Sequence, residues 1–370
     1  MQRLQNAMRY TLLITLALAT ITAGTWGRPD NSDNKDDAFN RTASVDFDFL
    51  SLDPIKIQAL GTGEIKLHAE IVNLGDETDT YDLLRIENLP SGWYSAMCIG
   101  GEDGFCLRPD VDTFQLTLHA AEKDSFSAYI YPQDRDGGGS VTLTVQSNAN
   151  PSLTKSVTLV GITAGTDVLI VDDDGEENYE QFYEEALTGD VTFGTWIRCC
   201  KEVASVDLNF FETVIWATGE ASPALSPSDI SALSTYLDGG GNLFISGQDI
   251  GWSLCDPASP DFGEAACDFY RNYLRAAYEV NSSDDFSLSG LTGDALSHGL
   301  DIEIAGEDGA DNQTSPSVVS PLGPAREVFK YDETRCGAVR AETGTYKVVY
   351  FGFGFEAINT QNMRQTIMSN

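Results

Sequence analysis

The sequence predicts two domains of different fold class: an all-β sandwich, followed by an α/β domain with a doubly wound, mainly parallel sheet. Between residues 45 and 163, apolar and polar residues alternate with a period of two, which is typical of strands that bury one face. From residue 165 to residue 370, continuous apolar runs alternate with segments of helical spacing. That second pattern is typical of buried parallel strands connected by helices.

The N-terminus has the pattern of a signal peptide, over residues 1–23. Arg3 and Arg9 precede an apolar run from Thr11 to Ala23, which is shorter than the roughly 20 residues that a membrane span needs. Residues 24–44 are polar and acidic and predict a linker. We therefore expect an exported protein of bacterial type, secreted or held at the cell surface, with no membrane span after signal cleavage.

The first domain reads as an immunoglobulin-like β-sandwich. Ile65–Val72 and Phe126–Tyr131 alternate in polarity, and turn-forming stretches such as Pro132–Gly139 separate the strands. About seven short strands in one domain of this size are typical of such a sandwich. Asn73–Tyr81 and Leu89–Trp93 resemble the exported immunoglobulin-like modules found beside bacterial secreted enzymes. That resemblance implies a spacer or adhesive role.

In the second domain, three apolar runs predict buried strands: Asp167–Val171, Thr213–Ala217 and Leu243–Ser246. Ser226–Asp229 predicts the start of a helix, with a capping serine, proline at the first helical position and an acid at the third. Gly239–Gly241 predicts its end. Residues 280–335 show no clear period. The chain stops inside a last predicted helix, which leaves room for a longer product.

Charge and cysteine content limit the partners. Against 57 acidic residues there are 22 basic ones, a net charge of −35, which repels nucleic acid and anionic lipid. Two pairs of cysteines enclose short loops and predict local disulfides, Cys98–Cys106 and Cys255–Cys267. The sequence leaves open the pairing of the other three, Cys199, Cys200 and Cys336. Neither cysteine nor histidine spacing matches a zinc site.

Polar side chains follow the predicted strands at their carboxyl ends, where open α/β sheets bind ligands. The candidate binding residues are Asp172, Asp173, Asp174, Glu220, Gln248, Asp249 and Glu356. Carboxylate oxygens suit a hard cation, so Asp172 and Asp174 are candidate ligands of Ca²⁺, although the spacing is not that of an EF-hand loop. No other cofactor is expected. The alternative is that these carboxylates cap helices or bind loop amides.

A candidate catalytic centre is the stretch Gly247–Gly251, which has the form Gly-x-nucleophile-x-Gly with Asp249 at its centre. A carboxylate can act as a nucleophile, with a second acid such as Glu356 activating water. A further hypothesis is a glycosidase that uses two carboxylates.

Residues 165–370 resemble the class I glutamine amidotransferase-like fold, of Rossmann-like or flavodoxin-like type. The resemblance lies in Val168–Asp174, Val214–Gly219, Gly240–Asp249 and Val348–Glu356. In that family the central position of the Gly-x-nucleophile-x-Gly stretch is a cysteine nucleophile, and a His-x-Glu pair follows the last core strand. Here Asp249 stands at the cysteine position and Gly354 at the histidine position. The resemblance implies a pseudoenzyme, like the non-catalytic members appended to secreted bacterial peptidases and surface proteins.

Together these observations predict an exported, non-catalytic binding or accessory module. Its acidic rim would bind a cation, a glycan or a protein. Its partner would be an extracellular glycan or protein, or a catalytic domain in a longer product. The alternatives are an atypical hydrolase that uses Asp249 or Glu356, and a purely structural spacer.

Overall fold

The computed structural model describes residues 44–370, apart from residues 102–103, 176 and 307. The predicted signal peptide, and the predicted linker up to residue 43, lie outside the described residues. Within the described residues, two sheets form the first part of the fold, and one large sheet with six α-helices forms the second.

Ten strands form the two sheets of the first part. One sheet has the order β1-β3-β8-β5-β6 and the other β2-β10-β9-β4-β7. Their bounds are β1 Phe47–Ser51, β2 Ile55–Gln58, β3 Ile65–Asn73, β4 Asp79–Asn88, β5 Tyr94–Ile99, β6 Phe105–Cys106, β7 Thr113–Leu118, β8 Lys123–Tyr131, β9 Gly138–Ser147 and β10 Thr154–Thr163. Their described neighbours pair antiparallel, except that β2 runs parallel to β10.

The two sheets bury one apolar core between them, so the predicted β-sandwich is confirmed. Every second residue of β3 is buried, from Ile65 to Asn73, in the alternation that the sequence shows. Side chains of both sheets meet in this core, including Leu67 and Phe126 from one sheet and Leu143 from the other.

The second part contains eleven strands in one sheet, of order β12-β11-β13-β14-β21-β20-β19-β16-β17, with β15 paired to β18 and β18 to β20. The strands are β11 Val168–Asp172, β12 Phe193–Ile197, β13 Thr213–Gly219, β14 Asn242–Gly247, β15 Ala276–Val280, β16 Ser287–Gly290, β17 Asp301–Glu303, β18 Val318–Pro321, β19 Arg326–Lys330, β20 Cys336–Glu342 and β21 Lys347–Phe351. The helices are α1 Glu180–Glu184, α2 Ser205–Leu208, α3 Pro227–Asp238, α4 Ile250–Cys255, α5 Glu264–Asn272 and α6 Gln361–Ser369.

The predicted doubly wound, mainly parallel α/β fold is wrong. Of the ten strand pairings that the described residues make in this sheet, four are parallel and six are antiparallel. Helix accounts for 16% of the structure and strand for 39%. The resemblance to the class I glutamine amidotransferase-like fold, with its Rossmann-like or flavodoxin-like sheet, is corrected by the same finding.

The physical reason for the error lies in residues 280–335. This segment shows no sequence period, yet it supplies the short strands β16, β17, β18 and β19. Short antiparallel strands connect through turns and need no crossover helix. They therefore enlarge the sheet without adding the helical pattern that identifies a parallel one.

The sandwich packs directly against the second part. Val160 and Ile162 of β10 share a buried cluster with Leu169 and Trp196. A Cβ added to Gly138 would lie 2.4 Å from the Cα of Gly194, so the two backbones touch there and neither position has room for a side chain. This contact places loops of the sandwich beside α1 and β12.

Both predicted disulfides are present, Cys98–Cys106 and Cys255–Cys267. Cys199 and Cys200 are exposed free thiols, and Cys336 is a buried one. In the part of the chain that the structure describes, no helix is long and apolar enough to cross a membrane. The disulfides are compatible with an extracytoplasmic location.

Candidate functional site

Three carboxylates meet where β11 ends and α1 begins. Asp172, Asp174 and Glu180 each offer an oxygen, and these oxygens lie within 4.8 Å of one another. Side chains two apart along an extended chain point to the same side, which groups Asp172 with Asp174. Gly175 adopts a φ of 95°, which suits the turn that returns the chain towards α1 and brings Glu180 back to the cluster. We call these three residues the acidic triad.

Burial and mutual repulsion disfavour the ionised forms of two carboxylates of the triad. Burial, together with the charges of Asp174 and Glu180, raises the pKa of Asp172 to about 8. Burial and the charge of Asp174 also raise the pKa of Glu180 to about 7. Only 5% of Asp174 is exposed. Its Oδ2 accepts a hydrogen bond from the backbone N–H of Tyr179 at 3.0 Å.

Two buried oxygens of the triad have no hydrogen-bond partner among the described residues, Oδ1 of Asp174 and Oε2 of Glu180. A buried carboxylate oxygen without a donor costs free energy on the order of 1–3 kcal/mol. Carboxylates cannot supply donors to one another unless one of them carries a proton. The triad therefore favours either a shared proton or a bound cation.

Asp173 lies on the other side of the chain from the triad. Its Oδ2 accepts a hydrogen bond from Trp216 Nε1 at 2.9 Å, and the nearby charges come from Asp229, Arg198 and Asp174. Burial raises its pKa to about 7. The sequence grouped Asp173 with its two neighbours, but the alternation of an extended chain separates them.

The end of β13 closes tightly over the triad. Gly219 has a φ of 50°, and a Cβ added there would lie 2.8 Å from the Cβ of Asp174 and 2.9 Å from a ring carbon of Tyr179. A larger residue would push the acidic turn away from the sheet. Gly219 therefore holds Asp174 in its buried position.

A second network contains Glu356, which is fully buried. Its carboxylate accepts hydrogen bonds from the Tyr183 hydroxyl at 2.8 Å and from Asn312 Nδ2 at 2.9 Å. Ser246 Oγ lies 2.7 Å from the same hydroxyl. Desolvation raises the pKa of Glu356. The sequence missed Tyr183, Ser246 and Asn312, because only the fold brings their three separate segments together.

Gln248 connects the loop that contains Thr314 and Ser315 to the Glu356 network. Its Oε1 accepts from the backbone N–H groups of Thr314 at 2.8 Å and Ser315 at 3.0 Å. Its Nε2 donates to Glu220 Oε1 at 2.7 Å. Glu220, Gln248 and Glu356 were predicted as ligand-binding residues; the structure places them in a network that secures the loop over the strand ends.

Asp249 adopts a left-handed backbone conformation between β14 and α4. It has a φ of 65° immediately before α4, and a Cβ on Gly247 would come within 1.9 Å of Thr218 Oγ1. Burial raises the pKa of Asp249, with Asn281 as its side-chain partner. Its Oδ1 has no partner among the described residues. No described hydrogen bond or ion pair joins Asp249 to Glu356 or to the triad.

Gly354 packs directly against the carboxylate of Glu356. A Cβ at this position would lie 1.9 Å from Oε1 of Glu356. The Glu356 side chain folds back over Gly354, so a side chain at this position would displace the carboxylate. A glycine is therefore required by the Glu356 network itself.

Comparisons with known proteins do not assign this chain to a family. No protein-family model matches the chain, and no curated protein matches it. Among solved structures, it is similar to the mmIFT52 N-terminal domain, with 12% identity, 55% of this chain and 94% of that chain covered and a TM-score of 0.38. It is also similar to the N-terminal domain of PorA (10% identity, 32% and 97%, TM-score 0.24). A lipoprotein from Bacteroides thetaiotaomicron shows 18% identity, coverage of 34% and 86%, and a TM-score of 0.21. Similarity of this degree carries no inference about function.

Proposed function

We propose that this chain is an exported, non-catalytic binding module that holds a hard divalent cation, with Ca²⁺ as the first candidate, at the acidic triad. The observation that carries the proposal is Asp174, which is 5% exposed and has an unpartnered Oδ1 within the triad. Glu180 joins the two ligands that the sequence named, Asp172 and Asp174.

The ligand chemistry selects the class of cation. The triad offers carboxylate oxygens alone, which suit hard cations. Ca²⁺ takes about six to eight oxygen ligands and accepts irregular geometry, so bidentate carboxylates and water can complete its shell. A cation would also supply the positive charge that the two unpartnered oxygens lack.

Binding would compete with protons. The raised pKa values of Asp172 and Glu180, about 8 and about 7, mean that part of the triad is protonated at neutral pH. A cation must displace those protons, so its affinity rises with pH. We expect tighter binding at about pH 8 than at about pH 6.

The test is a calorimetric titration of the wild-type protein with CaCl₂, alongside thermal melts in EDTA and in CaCl₂. We expect saturable binding, with proton release and a higher melting temperature. Asp174→Asn should lose both effects. The matched control is Asp173→Asn, which changes the adjacent carboxylate on the other side of the chain and should keep both. Equal responses of the two variants, or no response of the wild type to millimolar Ca²⁺, would refute the proposal.

The hydrolase alternative retains one supporting observation, the left-handed backbone of Asp249 beside its unpartnered Oδ1. Strained conformations of non-glycine residues occur often at functional sites. Against it, the carboxylate of Glu356 is already bonded to Tyr183 and Asn312. This alternative predicts turnover of an ester or glycoside substrate that Asp249→Asn abolishes; a wild type that turns over no member of such a panel removes it.

A further inference from the structure

A cavity of about 420 Å³ lies between the sandwich and the second part of the fold. On the sandwich side its wall includes Pro90 and the backbone of Gly137–Gly139. On the other side it includes Phe193 of β12, and Glu180 and Glu184 of α1. Its volume lies in the range of small-molecule sites, which occur preferentially between domains.

The walls combine an apolar surface with a rigid backbone. Leu89, Pro90 and Phe193 supply apolar contacts. A Cβ added to Gly139 would lie 2.8 Å from Leu89 Cδ2 and 2.9 Å from Pro90 Cδ, so this wall is closely packed. An aliphatic chain of a ligand would pack against this apolar wall.

The charge of the walls is negative and poorly balanced. Asp136, Glu180 and Glu184 line the cavity, against a single basic residue, Arg135. Glu184 Oε1 accepts a hydrogen bond from Thr195. A ligand that carries positive charge and N–H donors would offset the negative charge of the three carboxylates that line the cavity.

We propose that this cavity binds a primary ammonium or guanidinium group carried on an aliphatic chain, as in a small diamine or a basic amino-acid side chain. The cationic group lies against Glu184, Glu180 and Asp136, and the methylene groups lie against Phe193 and Pro90. This ligand is distinct from the divalent cation, although Glu180 borders both places. The proposal does not rest on the proposed cation site.

The probe is 1,5-diaminopentane, titrated into the wild-type protein in EDTA at near-physiological salt, which screens the general attraction of an acidic surface for amines. The matched neutral probe is 1,5-pentanediol. We expect saturable binding of the diamine and none of the diol, because the carboxylates gain only from a charged donor. Equal binding of both probes, or no saturable binding of the diamine, overturns the proposal.

Two variants locate the binding. Glu184→Gln keeps the shape of the side chain and should weaken the diamine roughly ten-fold, the order expected for one charge-assisted hydrogen bond. Glu185→Gln is its control, since Glu185 is the exposed next residue, and should bind as the wild type does. Ser91→Trp, at an exposed position of the cavity wall, should block entry without changing charge. Equal binding by Glu184→Gln and Glu185→Gln, or unimpaired binding by Ser91→Trp, overturns the assignment.

The variant Asp174→Asn tests whether the amine site is distinct from the divalent-cation site. It should retain saturable diamine binding, because Asp174 does not line the cavity and the loss of its charge favours the ionised form of Glu180, which attracts the amine. Loss of diamine binding in this variant would place the amine in the acidic triad and overturn the cavity assignment. Loss of Ca²⁺ binding alone would leave the cavity proposal standing.

Discussion

Replacing Asp172 with asparagine should stabilise the cation-free protein at alkaline pH. Asp172 is half-buried, and its folded-state pKa is raised from 3.8 to about 8. The folded state therefore binds the proton more tightly than the unfolded state does. The stability that the protonated carboxyl contributes is present below about pH 4 and is lost as pH rises towards about 8.

The size of this loss of stability follows from the shift in the pKa of Asp172. One pKa unit corresponds to about 1.4 kcal/mol, so an isolated group shifted this far would lose at most about 6 kcal/mol. Three carboxylates share the effect and water reaches part of the triad, which reduces the loss to roughly 2 kcal/mol. Asp172→Asn carries no such charge. We expect it to exceed the wild type by roughly 2 kcal/mol at about pH 8 and to match it at about pH 4.

The assay is urea unfolding followed by the fluorescence of the buried Trp196 and Trp216, in EDTA, at both pH values. The difference in unfolding free energy between variant and wild type is compared at the two pH values. Groups that titrate alike in both proteins contribute equally to both free energies and so cancel in this difference. Ca²⁺ at about 100 times its dissociation constant should add roughly 2.7 kcal/mol to the wild type and nothing to the variant. A variant less stable than the wild type at about pH 8 in EDTA refutes the reasoning.

Three further substitutions test the triad, the Glu356 network and the backbone at Asp249. Gly219→Ala places a Cβ 2.8 Å from Asp174 Cβ at a φ of 50°; it should lower stability by about 1–3 kcal/mol and weaken Ca²⁺ binding, as measured by melts and calorimetry. Tyr183→Phe removes a donor to the buried Glu356 and should cost about 1–3 kcal/mol in urea unfolding, with Ca²⁺ affinity unchanged. Asp249→Gly relieves the left-handed backbone and the unpartnered carboxylate oxygen; it should stabilise the protein by about 1 kcal/mol, and a destabilised variant would contradict this.

The local features of the fold could be predicted because short-range physics controls them. The alternation of β3 places Ile65, Leu67 and Ile71 in the core, and no distant partner is needed to see it. The helix start at Ser226 was predicted from its residues, and its hydroxyl accepts the expected hydrogen bond from the Asp229 N–H. The loop between Cys98 and Cys106 is short enough to bring its ends together with little loss of entropy.

The pairing of strands could not be predicted, because it depends on contacts distant in sequence. β21 joins β14 in parallel and β20 in antiparallel orientation, and nothing in its apolar residues distinguishes the two. The candidate site shows the same limit. Sequence placed Asp172 and Asp174 together, but Glu180 enters the triad only because the chain turns back into α1.

By itself, the sequence determined which residues are acidic, which strands bury one face and which cysteines pair across short loops. Only the tertiary structure decided which carboxylates share a site. It separated Asp173 and Asp249 from the triad, and it gave Glu356 a bonded partner in Tyr183. The reason is that a carboxylate acts through the groups within a few ångströms of it. Those neighbours come from strands and turns that only the assembled sheet brings together.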